Sequence, residues 1–250
     1  MGQVKGRRGV KGARGATFVA RLGSRLVILV GLTGGIGAGK SSVSSLLASR
    51  GAVIIDADAV VHELQRPGEP VVASIAARFG GHLIGLDGAL DRAALATIVF
   101  GDSDALKDLN GIVHPAVGAE INRRIDVEAG TGHVVVLDIP LLAENPRPGL
   151  AATVVVDCPV DVAVDRLMHQ RGFTETDARA RIARQVSREQ RLALATRVID
   201  NSGDRATLER QVDELWAWLR ALPPTTAEDL AAYRARPTPG ESSATKTSTT

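Results

Sequence analysis

The residues best suited to chemistry lie in one short glycine-rich segment, Gly34-Gly35-Ile36-Gly37-Ala38-Gly39-Lys40-Ser41. Two glycines separated by four residues and followed by lysine and a hydroxyl make the P-loop pattern. Its glycines let backbone N–H groups converge on phosphate oxygens, which a Cβ would obstruct. Lys40 supplies a positive charge for the β- and γ-phosphates, and the Ser41 hydroxyl is suited to ligating Mg²⁺. The segment therefore predicts binding of a nucleoside triphosphate.

The predicted nucleotide site covers the whole loop and the residue after it. It comprises Gly34, Gly35, Ile36, Gly37, Ala38, Gly39, Lys40, Ser41 and Ser42. Apolar residues 27–30 before the loop and helix-compatible residues after it supply the strand and helix that a P-loop needs. The positive N-terminal end of that helix would point at the same anion.

Carboxylates suited to activating a hydroxyl acceptor follow other apolar runs. Asp56 and Asp58 come directly after residues 52–55. Both could face the cleft, one accepting the hydroxyl proton while the other bonds a sugar. The alternative is that one of them caps the helix that follows. Asp138 ends a further apolar run and is either an acid that reaches the metal through water or a turn residue.

Candidate cations and histidines lie later in the chain. Arg166 and Arg171 stand at the entry to an arginine-rich stretch, and a mobile segment carrying guanidinium groups can close over phosphates. Arg179 and Arg181 fit an ordinary solvated helix face. His114 is either a contact in a substrate pocket or an ordinary helix-start histidine. The five histidines do not show the spacing of a metal site.

A parallel sheet is needed to bring these residues together. Short unbroken apolar runs predict five strands, at 26–32, 52–55, 133–138, 153–157 and 197–200. Helical patterns lie between them, so we predict an α/β fold with a five-stranded parallel sheet. Ligands of such sheets bind beyond the carboxyl ends of the strands, where the P-loop lies.

Two stretches predict additions to a core that spans 26–222. Residues 57–132 contain no confident strand and several helical segments, with a break at His114-Pro115 among others, which predicts a helical substrate-binding insertion. Residues 166–190 predict a lid. Within it, Thr174-Glu175-Thr176-Asp177 is a capping sequence for a helix over 174–190.

The two ends of the chain differ from the core in composition. Residues 1–25 carry seven basic side chains and no acid, +7 against a whole-chain charge of +2, which leaves residues 26–250 at −5. This tail is a weak polyanion site, a targeting segment or an extension without a role. We expect it, and residues 223–250, to be disordered. No nucleic-acid partner is expected, because the basic charge lies outside the folded part.

Composition also bears on location and class. No run approaches the 18 apolar residues of a membrane span, so we expect a soluble protein without a membrane partner. The single cysteine, Cys158, is interpreted as a small residue at a strand end and fits a reducing cytoplasm. A GTPase switch would need an Asn-Lys-x-Asp motif, which is absent. The oligomeric state is left open, with a monomer preferred to a trimer.

In combination, the motifs resemble those of dephospho-CoA kinases over roughly residues 26–220. The resemblance rests on Gly31-Leu32-Thr33 with the P-loop, Asp56-Ala57-Asp58, Leu90-Asp91-Arg92, His114-Pro115, Asp138-Ile139-Pro140-Leu141-Leu142 with Glu144, Arg166 with Arg171, and Asp200-Asn201. It implies a P-loop kinase core with a helical CoA-binding insertion and a lid. It also implies ATP-dependent phosphorylation of the ribose 3′-hydroxyl of dephospho-CoA.

The resemblance further implies roles for individual residues. Lys40 is expected to contact the phosphates, Asp58 to be the base, and Arg166 to stabilise the transferring group. Asn201 falls where nucleotide kinases of this shape often contact the adenine, and Arg171 joins Arg166 and Asn201 among the expected ATP contacts. The implied partners are ATP, Mg²⁺ and dephospho-CoA.

The candidate contacts for the acceptor substrate are Asp56, Asp58 and His114. They also separate this interpretation from its main rival, another small-molecule P-loop kinase that acts on a nucleotide or on shikimate. Such an enzyme would share Lys40 and Ser41 but would not be expected to pair them with these three residues.

Overall fold

The structure, a computed structural model, describes residues 27–235 of the 250-residue chain. The predictions made for residues 1–25 therefore lie outside the described residues. The same holds for the predicted C-terminal tail from residue 236 onward.

Five strands form one parallel sheet in the order β2-β3-β1-β4-β5. They are β1 (Ile28–Gly34), β2 (Val53–Asp56), β3 (Val134–Asp138), β4 (Ala152–Asp157) and β5 (Arg197–Asp200). The predicted five-stranded α/β fold is confirmed. β1 extends beyond its predicted end because Thr33 and Gly34 continue the pairing with β4, opposite Val155 and Val156.

Helices connect the strands and cover the sheet. Within residues 27–235 they are α1 (Lys40–Ser49), α2 (Ala57–Leu64), α3 (Pro70–Phe79), α4 (Arg92–Val99), α5 (Ser103–Val127), α6 (Val160–Arg171), α7 (Glu175–Ala183), α8 (Arg188–Ala193), α9 (Arg205–Arg220) and α10 (Ala227–Arg234). None of these helices is long and apolar enough to cross a membrane.

Alternate residues of the central strand face opposite helical layers. Val30 and Leu32 are fully buried in a core that α1 and α9 complete. Leu29 is fully buried in a second core, to which α2, α5 and α10 contribute. Burial on both faces explains why the strands are unbroken apolar runs rather than alternating ones.

Residues 57–132 form α2 to α5 and a short 3₁₀ turn at Gly81–Leu83. The middle of this stretch has its own hydrophobic core, with Ile75 and Leu83 fully buried. The predicted break at His114-Pro115 is wrong, because α5 continues through the proline. The proline costs one helix hydrogen bond, but packing of α5 against α2, α3 and α4 stabilises the helix across it.

The segment 223–235 corrects the prediction that the chain is disordered from residue 223 onward. Thr226 caps α10 with its side chain, and Tyr233 is only 5% exposed in the second sheet core. The N–H of Thr225 donates to the Val27 carbonyl at 2.9 Å. Burial of an aromatic ring and hydrogen bonds to the sheet stabilise this segment, although its composition favours disorder.

The arginine-rich stretch contains two helices where a single helix over 174–190 was predicted. Thr174 caps α7 as expected, accepting from the N–H of Asp177 at 3.1 Å. α7 ends at Ala183, and Ser187 then begins α8 with a capping box. The single-helix prediction is wrong because this second cap starts a new helix.

Candidate active site

The P-loop joins the central strand β1 to α1, and two of its glycines are required by geometry. Gly37 has φ 79° and Gly39 has φ 88°, the left-handed region that favours glycine. A Cβ on Gly37 would stand 2.7 Å from the carbonyl oxygen of Ala163. One on Gly39 would stand 2.1 Å from Nδ2 of Asn201. Larger residues are therefore excluded at both positions.

Arg166 and Asn201 support the loop by binding the Ala38 carbonyl. Nδ2 of Asn201 donates to this oxygen at 2.8 Å, and Nη1 of Arg166 donates to it at 3.3 Å. Nη2 of Arg166 also donates to the carbonyl of Asn201 at 2.7 Å. A carbonyl held from outside leaves the neighbouring N–H groups to face an anion. Contact of Asn201 with adenine stays a prediction.

Lys40 forms an ion pair with Asp138. The second oxygen of Asp138 accepts from Oγ of Ser44 at 2.8 Å, and the residue is only 3% exposed. Asp138 ends β3, which pairs with β1, so the sheet itself places this carboxylate beneath the P-loop. Asp138 is therefore a buried partner of the loop and not a simple turn residue.

The two aspartates after β2 have different positions. Asp56 caps α2, because its Oδ1 accepts from the N–H groups of Asp58 at 2.9 Å and Ala59 at 3.1 Å. Asp58 lies in the first turn of α2 and lines the cleft. The capping alternative therefore applies to Asp56, and the role of Asp58 as base stays a prediction.

A single cleft brings most of the predicted residues together. Its volume is about 510 Å³, within the range of small-molecule sites. It is lined by Gly34, Gly35, Ile36, Gly37, Gly39, Lys40, Ser41, Ser42, Asp58, Pro140, Arg166, Leu167, Gln170, Arg171, Gln185, Asn201, Gly203, Arg205 and Leu208. Four of these side chains are cationic against one carboxylate, which suits a polyanionic ligand.

Two predicted substrate contacts lie outside this lining. Asp56 is the cap already described, and His114 is an exposed residue in the middle of α5. The alternative that His114 starts a helix is therefore wrong. A role for either residue in binding the acceptor stays a prediction.

Sequence reasoning missed two residues that touch the P-loop. Oε1 of Gln185 accepts from the N–H of Ile36 at 2.9 Å. Arg191 is only 8% exposed and lies against Gly35. No short motif marks either position. The Ser187-x-x-Gln190 capping pattern could have revealed the loop before α8 and the helix that carries Arg191.

Cys158 follows β4 directly and is buried, as expected of a small residue at a strand end. Burial raises the pKa of its thiol, so the thiol stays protonated at neutral pH and is a poor nucleophile. Within residues 27–235, no group of three or more His, Cys, Asp or Glu could hold a metal ion.

A family model and a curated relative both match most of this chain. The family model described as dephospho-CoA kinase matches residues 28–207. A dephospho-CoA kinase from Streptomyces avermitilis is 50% identical over 192 residues, which is 76% of this chain and 93% of that relative.

Solved structures show the same fold. The crystal structure of TT1252 from Thermus thermophilus is 35% identical with a TM-score of 0.67, covering 78% of this chain and 98% of that one. A dephospho-CoA kinase from Campylobacter jejuni is 22% identical with a TM-score of 0.56, covering 77% and 97%. The second likeness concerns the fold alone. From the family match and the relative's identity over most of both lengths, the chain belongs to the dephospho-CoA kinase family.

Proposed function

We propose that this chain transfers the γ-phosphoryl group of ATP to the ribose 3′-hydroxyl of dephospho-CoA, giving CoA and ADP in the last step of CoA biosynthesis. The observation that carries the proposal is that Asp58 lines the same cleft as the P-loop in a member of this family. Transfer to an alcohol requires a phosphate cradle and a carboxylate that orients or deprotonates the hydroxyl.

The P-loop, Asp58 and Arg166 have separate roles in the proposed reaction. The P-loop backbone and Lys40 hold the phosphates of ATP, and Asp58 receives the proton of the attacking hydroxyl. Arg166 uses part of its guanidinium to bind Ala38 and Asn201. Its remaining N–H donors are available for the charge on the transferring group, because guanidinium carries five.

The donor set fits a Mg²⁺ ion that arrives with the nucleotide. Mg²⁺ is usually held by one or two protein oxygens together with substrate phosphates and water. Ser41 is an exposed residue that lines the cleft, and its hydroxyl would bind the ion directly. Both oxygens of Asp138 already have protein partners, which favours contact through water. The ion would neutralise charge between the phosphates.

The insertion and the lid complete the proposed site. We assign residues 57–132 to binding the rest of dephospho-CoA, because they have a hydrophobic core of their own beside the helix that carries Asp58. Residues 166–190 would exclude water when they close over ATP. A cytoplasmic location and a monomeric state remain predictions, the first supported by the free thiol of Cys158.

A coupled ADP-release assay tests the proposal directly. The purified chain is given ATP and Mg²⁺ with dephospho-CoA, AMP, CMP or shikimate as acceptor, and ADP release is followed for each. We expect turnover with dephospho-CoA and only background rates with the other three. Faster turnover with AMP, CMP or shikimate would overturn the assignment of the acceptor, and mass spectrometry of the product would check the position of the new phosphate.

A further inference from the structure

A side chain of the lid contacts the P-loop backbone. Gln185 lies between α7 and α8, and its Oε1 accepts from the N–H of Ile36 at 2.9 Å. Both residues line the cleft. Since the backbone N–H can only donate, the contacting atom must be the carbonyl oxygen of Gln185. The orientation of one P-loop amide is therefore set by a residue far away in the sequence.

The position of Gln185 is fixed by the backbone of the next residue. The N–H of Val186 donates to Oε1 of Glu144 at 3.4 Å, and its carbonyl accepts from Nη1 of Arg191 at 3.2 Å. Glu144 belongs to the loop after β3, whereas Arg191 belongs to α8. The connection between α7 and α8 is thus held from two sides, which limits the positions that Gln185 can take.

Arg191 adds a second contact to the same half of the P-loop. Nη2 of Arg191 lies 3.1 Å from the place where a Cβ on Gly35 would stand. Gly35 is not one of the glycines with positive φ, and the P-loop pattern does not require glycine there. A side chain at this position would therefore crowd the guanidinium of Arg191. Gln185 binds Ile36, and Arg191 lies beside Gly35 on the same half of the loop.

We propose that Gln185 is a positioning residue for the phosphoryl transfer. By accepting from Ile36, it holds the first half of the P-loop in the shape that receives the terminal phosphates of ATP. Its amide is neutral, so it can accept this hydrogen bond beside the phosphates without repelling them. A carboxylate at the same place would make the same hydrogen bond but would repel the nucleotide. The inference rests on the proposed function.

Three substitutions at Gln185 separate the hydrogen bond from the charge. Gln185→Met keeps the length of the side chain but removes the acceptor, and Gln185→Asn withdraws the acceptor by one methylene. We expect both to lower kcat by roughly tenfold, the scale of one lost intramolecular hydrogen bond. KM for dephospho-CoA should not change. Gln185→Glu should instead raise KM for ATP by roughly tenfold, because like charges meet in the cleft.

Gln190→Met is the matched control. Gln190 is exposed, belongs to the same segment, and accepts from the N–H of Ser187 at 3.0 Å in the cap of α8. We expect this variant to keep the wild-type kcat and both KM values. Thermal melting of all four variants would show whether any loss of rate reflects unfolding.

A readout independent of the acceptor separates this inference from the proposed function. ADP affinity is measured by isothermal titration, and we expect Gln185→Glu to weaken it while Gln190→Met leaves it unchanged. Wild-type kcat for a folded Gln185→Met, or wild-type ATP KM and ADP affinity for Gln185→Glu, would overturn the positioning role. If the wild-type chain did not phosphorylate dephospho-CoA at all, the proposed function would fail, while the ADP titration would still test Gln185.

Discussion

Lys40 and Asp138 depend on each other beneath the P-loop. Asp138 is 3% exposed, and its partners are Lys40 and Ser44. Removing one partner of a buried ion pair typically costs about 3–5 kcal/mol. A substitution at Lys40 would therefore change stability and chemistry together. Asp58 is the better residue to change, because it lines the cleft while another residue caps its helix.

Replacement of Asp58 by asparagine should remove the proposed base while keeping the shape of the side chain. We expect kcat with dephospho-CoA to fall by a factor on the order of 10² or more, the usual contribution of a positioned general base. The α2 cap stays in place, since Asp56 accepts from the backbone N–H of residue 58 and not from its side chain. Steady-state kinetics and a melting curve measure the two effects separately.

The chain contains a matched control for this variant. Asp102 caps α5 and accepts from the N–H groups of Asp104 at 2.9 Å and Ala105 at 3.0 Å, the same arrangement as at α2. Asp104→Asn therefore tests the first-turn position without the cleft, and its kcat should equal that of the wild type. A near-native rate for Asp58→Asn would remove the role of Asp58 as base.

For single residues, the sequence predicts a helix start but not which aspartate lines the cleft. Two aspartates separated by one residue occur at the starts of both α2 and α5, and in both helices the first aspartate is the cap. The pattern alone indicates a helix start. Only the fold shows that Asp58 lines the same cleft as the P-loop, whereas Asp104 does not line it.

At the scale of elements, α2 is held in place by a network of charges on α5. Nη2 of Arg124 pairs with Glu63 of α2, and its Nε donates to Glu120 at 2.8 Å. Glu120 also binds Arg123 through both of its oxygens, at 2.8 Å each. The hydrogen bonds from Arg123 and Arg124 lower the pKa of Glu120 from 4.5 to about 2. This network therefore adds a charged contact to the helix that carries Asp58, beside the burial of Val60 in the second sheet core.

This pKa predicts how the network's contribution depends on pH. Because the folded-state pKa lies below the ordinary one, Glu120 stabilises the fold fully above pH 4.5 and loses its contribution as pH falls toward about 2. Glu120→Gln should therefore cost about 1 kcal/mol of unfolding free energy at neutral pH, and the difference from wild type should shrink in acid. Urea unfolding at several pH values measures this difference.

A surface pair of similar geometry is the control for Glu120. Glu209 pairs with Arg205 at 2.8 Å, four residues apart on α9. Glu209→Gln should change stability by only a few tenths of a kcal/mol. If the difference in unfolding free energy between wild type and Glu120→Gln stayed constant down to the lowest pH, the ionised Glu120 carboxylate would not be its cause.

The C-terminal helix gives a second prediction at this scale. Tyr233 is 5% exposed in the core beneath the sheet, so Tyr233→Ala should lower the unfolding free energy by about 3 kcal/mol. Its neighbour Arg234 pairs with Asp126 on the surface at 2.5 Å, and Arg234→Ala should cost less than about 1 kcal/mol. Urea unfolding compares the two variants, and equal losses would show that α10 does not complete this core.

The elements that the sequence predicted well are those whose pattern follows from burial. The strands were recognisable because both faces of the sheet are covered, whereas α10 was missed because proline- and threonine-rich surroundings obscure a helix with one buried aromatic. Its cap at Thr226 was the available signal. The continuous helix through Pro115 was not predictable, since only packing with three other helices stabilises it.

At the scale of the whole molecule, the carboxyl edge of the sheet is rich in aspartate, yet within residues 27–235 it forms no group that could hold a metal ion. Every strand other than β1 ends in one, at Asp56, Asp138, Asp157 and Asp200. Each has a partner inside the chain: the α2 cap, Lys40, Arg188 and the N–H of Ser202. Arg188 ties α8 to the end of β4 in this way. Because these carboxylates have partners, the sheet edge adds less uncompensated negative charge to the cleft, which favours phosphate binding.

Removal of the basic tail tests whether its positive charge contributes to folding or activity. Deleting residues 1–24 takes away six of the seven basic side chains in the first 25 residues but stops before Val27, which is 2% exposed and bonded to Thr225. We expect kcat and melting temperature to stay close to wild type. A deletion of residues 1–30 should instead abolish folding, because it removes three of the seven residues of β1. Any binding to a nucleic-acid duplex should be weak, should fall as salt is raised and should require the tail, since no nucleic-acid partner is expected. Loss of activity in the shorter deletion would show instead that the tail contributes to the kinase site.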